Sequence, residues 1–238
     1  MKGAARHCDP GAFILSVIVL LISPLTFFAQ GGRLVSMKST DKIKSHFVRL
    51  QDVARVQPGY LSRTSVRPVS TGTHRLLQAR DVSSQRGLCL DSVVRFVPMR
   101  NPELYQVSRG DILLAARGQD YRAHLIDMDL TDVLASSVFY IVRPCKEVVL
   151  PGYLTWWLNQ PDMQAALETA SCGTGIGYLA RPLLEALDVA LPSLEVQRLI
   201  ADTMNLWRRQ QSIRAQLEQK REQFIQASCR LAVGLDKE

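Results

Sequence analysis

With 238 residues, 47% of them apolar, the chain has ample material for a buried core, which excludes intrinsic disorder as its default state. Lys and Arg number 29 against 22 Asp and Glu, giving a net charge of +7 and an isoelectric point near 9.4; this suits a polyanionic partner without proving one. The 5 cysteines and 4 histidines are scattered, with no CxxC pair, HExxH string or Cys/His cluster, so neither a disulfide framework nor a metal site is expected, and dispersed thiols suit a reducing cytoplasm.

The chain opens on a conflict with that setting. Phe13 to Ala29 is almost entirely apolar and follows Lys2 and Arg6, as a signal sequence or a short membrane anchor would. Phe27 stands where a signal cleavage site wants a small residue, and Ser23-Pro24 interrupts a stretch already short for a span. A third reading is upstream sequence ahead of the true start, because Met37 opens a polar lead (MKSTDKIKS) directly before the first domain-like segment. The expected division is an N-terminal extension over 1–36, a domain over 37–192 and a long helix over 193–238.

Val48 to Val56 begins the domain and ends at the turn signal Gln57-Pro58-Gly59. Tyr60 to His74, rich in Ser, Thr, Arg and Pro, reads as a surface loop. Short β-type runs follow at Arg75 to Val82, Ser92 to Pro98, Asp111 to Ala116, Tyr121 to Met128 and Ser136 to Arg143, with Gly110-Asp111 and Gly118 as punctuation. Gly152 to Ala170 is helical in pattern, with Pro161 as a break or second start; Trp156 and Trp157 are expected in the core rather than stacked on bases. The glycine-rich run Cys172 to Tyr178 follows a helix instead of a strand, which argues against a dinucleotide fold. A short helix at Arg181 to Ala186 and a strand at Leu187 to Leu191 lead to Pro192.

Beyond Pro192 no Gly or Pro intervenes until Gly234, and the three-then-four register Val196, Leu199, Thr203, Leu206, Gln210, Ile213, Leu217, Lys220, Phe224, Ala227 and Leu231 is mostly apolar. Charged residues fill the intervals, as in a coiled-coil seam with solvated flanks, and Ser193 with Glu195 supplies an N-cap. A seam of this length wants another helix, from a second copy or from a partner.

No catalytic motif accompanies these elements. A nucleophile elbow, a Walker loop, paired metal-binding carboxylates and the Asn-Pro-Pro-aromatic tetrad of adenine methyltransferases are all missing from the string. Glu218-Gln219-Lys220 mimics half of a nuclease site but falls on the heptad helix. The expectation is recognition without catalysis, no bound cofactor and no metal.

Gly110 to Leu114, Ser136 to Pro144, the Tyr153-Leu154 helix, Gly173 to Tyr178 and above all Leu191-Pro192-Ser193-Leu194-Glu195-Val196-Gln197-Arg198-Leu199-Ile200 form an ordered set covering about Phe47 to Val233. Together they resemble a type I restriction-modification specificity subunit. The resemblance implies an α/β (α+β) architecture, a mixed β-rich target-recognition domain followed by a coiled-coil-type helix. It also implies partners: double-stranded DNA at a bipartite site, an adenine-methylating modification subunit that would hold the AdoMet, and a restriction motor subunit. Family members usually carry two recognition domains and two helices, whereas one of each is found here, so a half-length form is implied that acts as a homodimer or pairs with a second specificity half. For DNA contact, loop residues capable of bidentate or charge-assisted bonds are favoured: Arg63, Arg67, Arg75, Arg117, Gln119, Tyr121 and Arg122, with Thr174 and Tyr178 for phosphate. Arg143, after an apolar strand, is expected to cap the core. The competing functional reading is a membrane-anchored interaction protein, with residues 13–29 as anchor and the C-terminal helix for docking.

Overall fold

Among the described residues, the apolar runs Ile112 to Ala115 and Phe139 to Val142 become strands buried on both faces. In a computed structural model that describes residues 46–62, 68–83, 87–90, 93–118, 120–172 and 177–233, the central sheet comprises β2 (Ala54–Pro58), β7 (Ile112–Ala115), β8 (Ala123–Leu125) and β10 (Phe139–Pro144). It is fully antiparallel, in the order β2-β10-β7-β8. Strand alternation sends Ile112, Leu114, Tyr140 and Val142 to one face and Leu113, Phe139 and Ile141 to the other.

The first face is covered by helices. These are α2 (Pro151–Leu158), α3 (Pro161–Ala170) and α4 (Arg181–Glu185), each starting with a proline in its first turn, where the missing N–H costs nothing. Tyr153, Leu154, Leu158, Leu167 and Leu184 fill this core, each fully buried apolar side chain contributing on the order of 2 kcal/mol. Trp156 and Trp157 pack against it as expected. Asn159, at the end of α2, exchanges hydrogen bonds with the backbone of Ala123 (3.0 and 2.8 Å) and so covers the exposed edge at β8.

The second face meets a three-stranded sheet in the order β6-β3-β9: β6 (Val94–Phe96), β3 (His74–Leu77) and β9 (Val133–Ala135). β3 runs antiparallel to β6 and parallel to β9. Leu77, Val133 and Ala135 face the central sheet, whereas Leu76, Leu134 and Phe96 build a small outer core with Tyr60. The hairpins β4–β5 (Val82–Ser83, Gly87–Leu88) and β11–β12 (Ser171–Cys172, Tyr178–Leu179) are two residues per strand. β1 (His46–Arg49) pairs antiparallel with β13 (Asp188–Leu191), and the single-turn α1 (Leu50–Val53) separates β1 from β2.

Several expected segments are shorter or divided. The run from Arg75 to Val82 breaks after Leu77 into a 3-10 turn (Ala79–Asp81), where Asp81 accepts a bond from the Gln78 N–H at 2.8 Å. The segment Val48 to Val56 is interrupted by α1. Pro161 starts a second helix, and β9 is an element the sequence reading did not anticipate.

Helix α5 (Leu194–Ala232) has 39 residues and rises about 58 Å. Ser193 occupies its N-cap position, but its side chain makes no capping bond. Gln197 joins the helix to the domain instead. Buried to 1%, it donates to the carbonyls of Pro192 (3.0 Å) and Val148 (3.1 Å) and accepts from the Leu150 N–H (2.9 Å). Gly152 of α2 lies so near α5 that a Cβ there would stand 2.9 Å from the Ala201 Cβ.

Candidate nucleic-acid interface

The connection between β7 and β8 and the strand β12 form one polar patch. Gly118 has φ +130, a conformation side-chain-bearing residues rarely adopt, and it turns the chain beyond Arg117. Arg117 bridges Tyr178 in antiparallel fashion, flanked by Leu179 N–H to Ala116 O (3.0 Å) and Gly118 N–H to Gly177 O (3.2 Å). The Arg117 guanidinium carbon consequently sits 5.4 Å from the centre of the Tyr178 ring. The Tyr178 hydroxyl lies 3.1 Å from that of Tyr140, which in turn donates to Leu179 O at 2.8 Å. Burial, reinforced by the bond to Tyr178, holds the Tyr140 phenol far above its ordinary pKa, so it remains a hydrogen-bond donor. The result is an arginine fork supported by a half-exposed ring whose own polar end is fixed.

Arg122 lies on the same connection, exposed and paired with Asp120 at 3.0 Å. Tyr121 between them requires a correction: it is 1% exposed, packed in the helix-side core, and cannot present its side chain to DNA. Its neighbour in sequence points outward because the backbone alternates, and Gln164 of α3 fastens the Tyr121 carbonyl from below at 3.1 Å. The same ring explains Gly177, where a Cβ would fall 2.5 Å from the Tyr121 hydroxyl. Arg75 is not part of this patch. It lies on β3 in the three-stranded sheet, half-buried, with Nη2 donating to Thr131 O at 3.2 Å. Arg63, Arg67, Gln119 and Thr174 fall outside the described residues.

Arg143 caps the core end of β10, bonding Gln106 O (2.7 Å), Gln57 Oε1 (3.3 Å) and Asp111 Oδ2 (3.4 Å). Asp111 also accepts from the Ser108 N–H at 2.9 Å, and the turn before it is completed by Gly110 at φ +97. Tyr140 and Gly177 support the patch yet were not singled out from sequence, because both act through partners more than 30 residues away.

The long helix has two distinct faces. Gln197, Ile200 and Ala201 meet the domain. At about 100° per residue, Leu206, Ile213, Leu217, Phe224 and Leu231 lie about 160–200° around the helix from Gln197, on the opposite side. Leu199 is on that side too, and all six are exposed. Val196 is half-buried, and the exposed Trp207 and Ile225 add apolar surface beside the seam. From Asn205 to Ala232 every residue except Arg208 is exposed. The domain therefore satisfies one stripe of the helix and leaves the other bare.

Among the described residues no His, Cys, Asp and Glu cluster has the makings of a metal site, and no helix is long and apolar enough to cross a membrane. Residues 13–29 and Met37 lie outside the described residues.

An α+β domain built on a four-stranded and a three-stranded sheet and followed by a long helix defines an architectural class, and solved structures share the fold. An S subunit of a type I restriction-modification system from M. genitalium superposes with a TM-score of 0.55 at 14% identity, over 82% of this chain and 47% of that one. The HsdS subunit from Thermoanaerobacter tengcongensis gives 0.51 at 16% identity over 87% and 46%. A structure addressing complex assembly and conformational transition of the type I R-M system gives 0.56 at 16% identity over 89% and 48%. The fold is that of type I specificity subunits, and the chain spans about half the length of the solved structures it matches. No family model and no curated protein matches the sequence.

Proposed function

We propose that the chain is a non-catalytic, sequence-specific DNA-binding specificity subunit of a type I restriction-modification system. In this reading residues 37–192 form the target-recognition domain, and the helix of 193–238 pairs with another helix. It directs an adenine-methylating modification subunit, and through that a restriction motor subunit, to a bipartite site. AdoMet belongs to the modification subunit.

One observation carries the reading: a domain with the specificity-subunit fold holds α5 by one stripe and turns a mostly apolar seam the opposite way. A solvated single helix gains nothing from Leu206, Ile213, Leu217 and Phe224 along one face, whereas a helical partner buries them. That partner is a second copy or a second specificity half. The Arg117–Tyr178 patch supports the DNA side, since a guanidinium over an aromatic ring can turn its N–H groups to a phosphate or a guanine edge.

The test is methylome sequencing of a host with and without the gene, in the presence of its modification subunit. Loss of one bipartite adenine motif is expected on deletion, and a symmetric motif corresponds to a homodimer. An unchanged methylome, together with failure to co-purify with the modification subunit, overturns the proposal.

A further inference from the structure

Two positions of the α5 seam, Gln210 and Lys220, carry long polar side chains, and both are exposed. A partner that buries the seam has to give each a bonded companion, since an unpaired amide or ammonium among apolar side chains is costly. With Val196 and Leu199 as the first and second seam positions of a heptad, Gln210 is a first position and Lys220 a second.

That difference decides between orientations. A parallel copy in register sets first positions against first and second against second, so two Lys220 ammonium groups would share one layer. An antiparallel copy sets first against second. With the twofold axis level with Ala215, Gln210 of each copy faces Lys220 of the other, and the amide oxygen accepts from the ammonium on both sides of the axis.

The remaining layers then match in size and polarity. Leu217 meets Ile213, Phe224 meets Leu206 and Leu231 meets Leu199. Thr203, whose hydroxyl donates within its own helix to Leu199 O at 2.7 Å, meets the small Ala227. On the flank, Asp202 of one copy comes within a turn of Arg230 of the other. Arg214 of both copies approaches the axis, with Glu218 one turn along the same helix to offset it. Sliding by one heptad destroys the match, because one direction sets Lys220 against Leu217 and the other sets Gln210 against Ile213.

We infer that α5 binds a second copy of this chain antiparallel, over Leu199 to Leu231, and that the Gln210–Lys220 pair fixes both partner and register. The inference deepens the helix-pairing part of the reading above, choosing a second copy over a different specificity half.

The test uses the full chain without DNA or modification subunit. Sedimentation velocity is expected to show a dimer at micromolar concentration. Gln210→Lys, which sets two ammonium groups in one layer, weakens the dimer about tenfold or more, and adding Lys220→Glu to the same chain restores it. Register is read by crosslinking in a background with the exposed Cys145 and Cys229 replaced by Ser, itself giving no linkage. Gln210→Cys and Lys220→Cys chains are treated with a short bismaleimide, apart and mixed. Only the mixture links, because like positions stand about 15 Å apart along the axis. Linkage of Gln210→Cys to itself marks a parallel pair and refutes the inference. So does a dimer indifferent to Gln210→Lys, or one that Lys220→Glu fails to rescue. A monomeric chain that still directs methylation in its host takes its second half from another chain: the second copy is then wrong and the specificity reading stands. A dimer with the expected linkage whose deletion leaves the methylome unchanged keeps the pairing and removes that reading instead.

Discussion

Replacing Gln197 by Ala tests how the helix is fastened. The amide joins three backbone groups from two connections: the Leu150 N–H and Val148 carbonyl ahead of α2, and the Pro192 carbonyl ahead of α5. With the side chain buried to 1%, truncation strands all three in a region it had sealed. At roughly 1 kcal/mol per lost bond, the variant loses about 3 kcal/mol. For a domain of this size that corresponds to a fall of about 6–12 °C in Tm, or about 1 M in the urea midpoint with the slope unchanged. Urea titrations followed in parallel by far-ultraviolet circular dichroism and tryptophan fluorescence measure it. Gln197→Glu is expected to fare no better, since a carboxylate retains the acceptor for Leu150 but confronts two carbonyls it cannot bond. A loss below about 1 kcal/mol in the Ala variant refutes the assignment of Gln197 as the fastener.

The other predictions concern packing, titration, the seam and the patch. Gly152→Val forces α2 away from Ala201 and costs about 1–3 kcal/mol in chemical denaturation. His124 is held below its ordinary pKa of 6.5, chiefly by burial, opposed by Asp120 and assisted by Arg122. The unfolded chain therefore takes up that proton first as pH falls through 6.5; stability present above this pH declines toward the lower folded-state value, and His124→Gln flattens the decline in pH-resolved melting curves. Leu206→Glu with Ile213→Glu leaves monomer stability within about 0.5 kcal/mol, because both side chains are already exposed, but abolishes helix-mediated association in sedimentation velocity. Tyr121→Phe leaves duplex affinity unchanged, whereas Arg117→Ala weakens it about threefold to tenfold by anisotropy.

Legibility in the sequence follows how local each signal is. The heptads of α5 and the apolar run of β10 could be read directly, the first from its period and the second from its length. Alternation within β10 was invisible because residues of both parities are buried. β9 escaped notice as three residues after the polar stretch Asp127 to Asp132, and it becomes a strand only by pairing with β3 more than 50 residues earlier. Gln197 was visible as a letter of the Leu-Pro motif, although its reach to Val148 and Leu150 was not. Tyr121 misled for the opposite reason. Between Asp120 and Arg122 it looked like loop sequence, yet the backbone had already begun to alternate toward β8 and turned the ring inward.

The central sheet also separates two mutational territories. Helix α5 packs on the side of Tyr140 and Val142, whereas the sheet β6-β3-β9 rests on the side of Phe139 and Ile141. Because neighbouring residues of one strand serve different cores, a lineage can rebuild the outer sheet and its loops while the residues around Gln197 stay untouched. Such a partition lets the outer sheet change while the seat of the long helix stays constant.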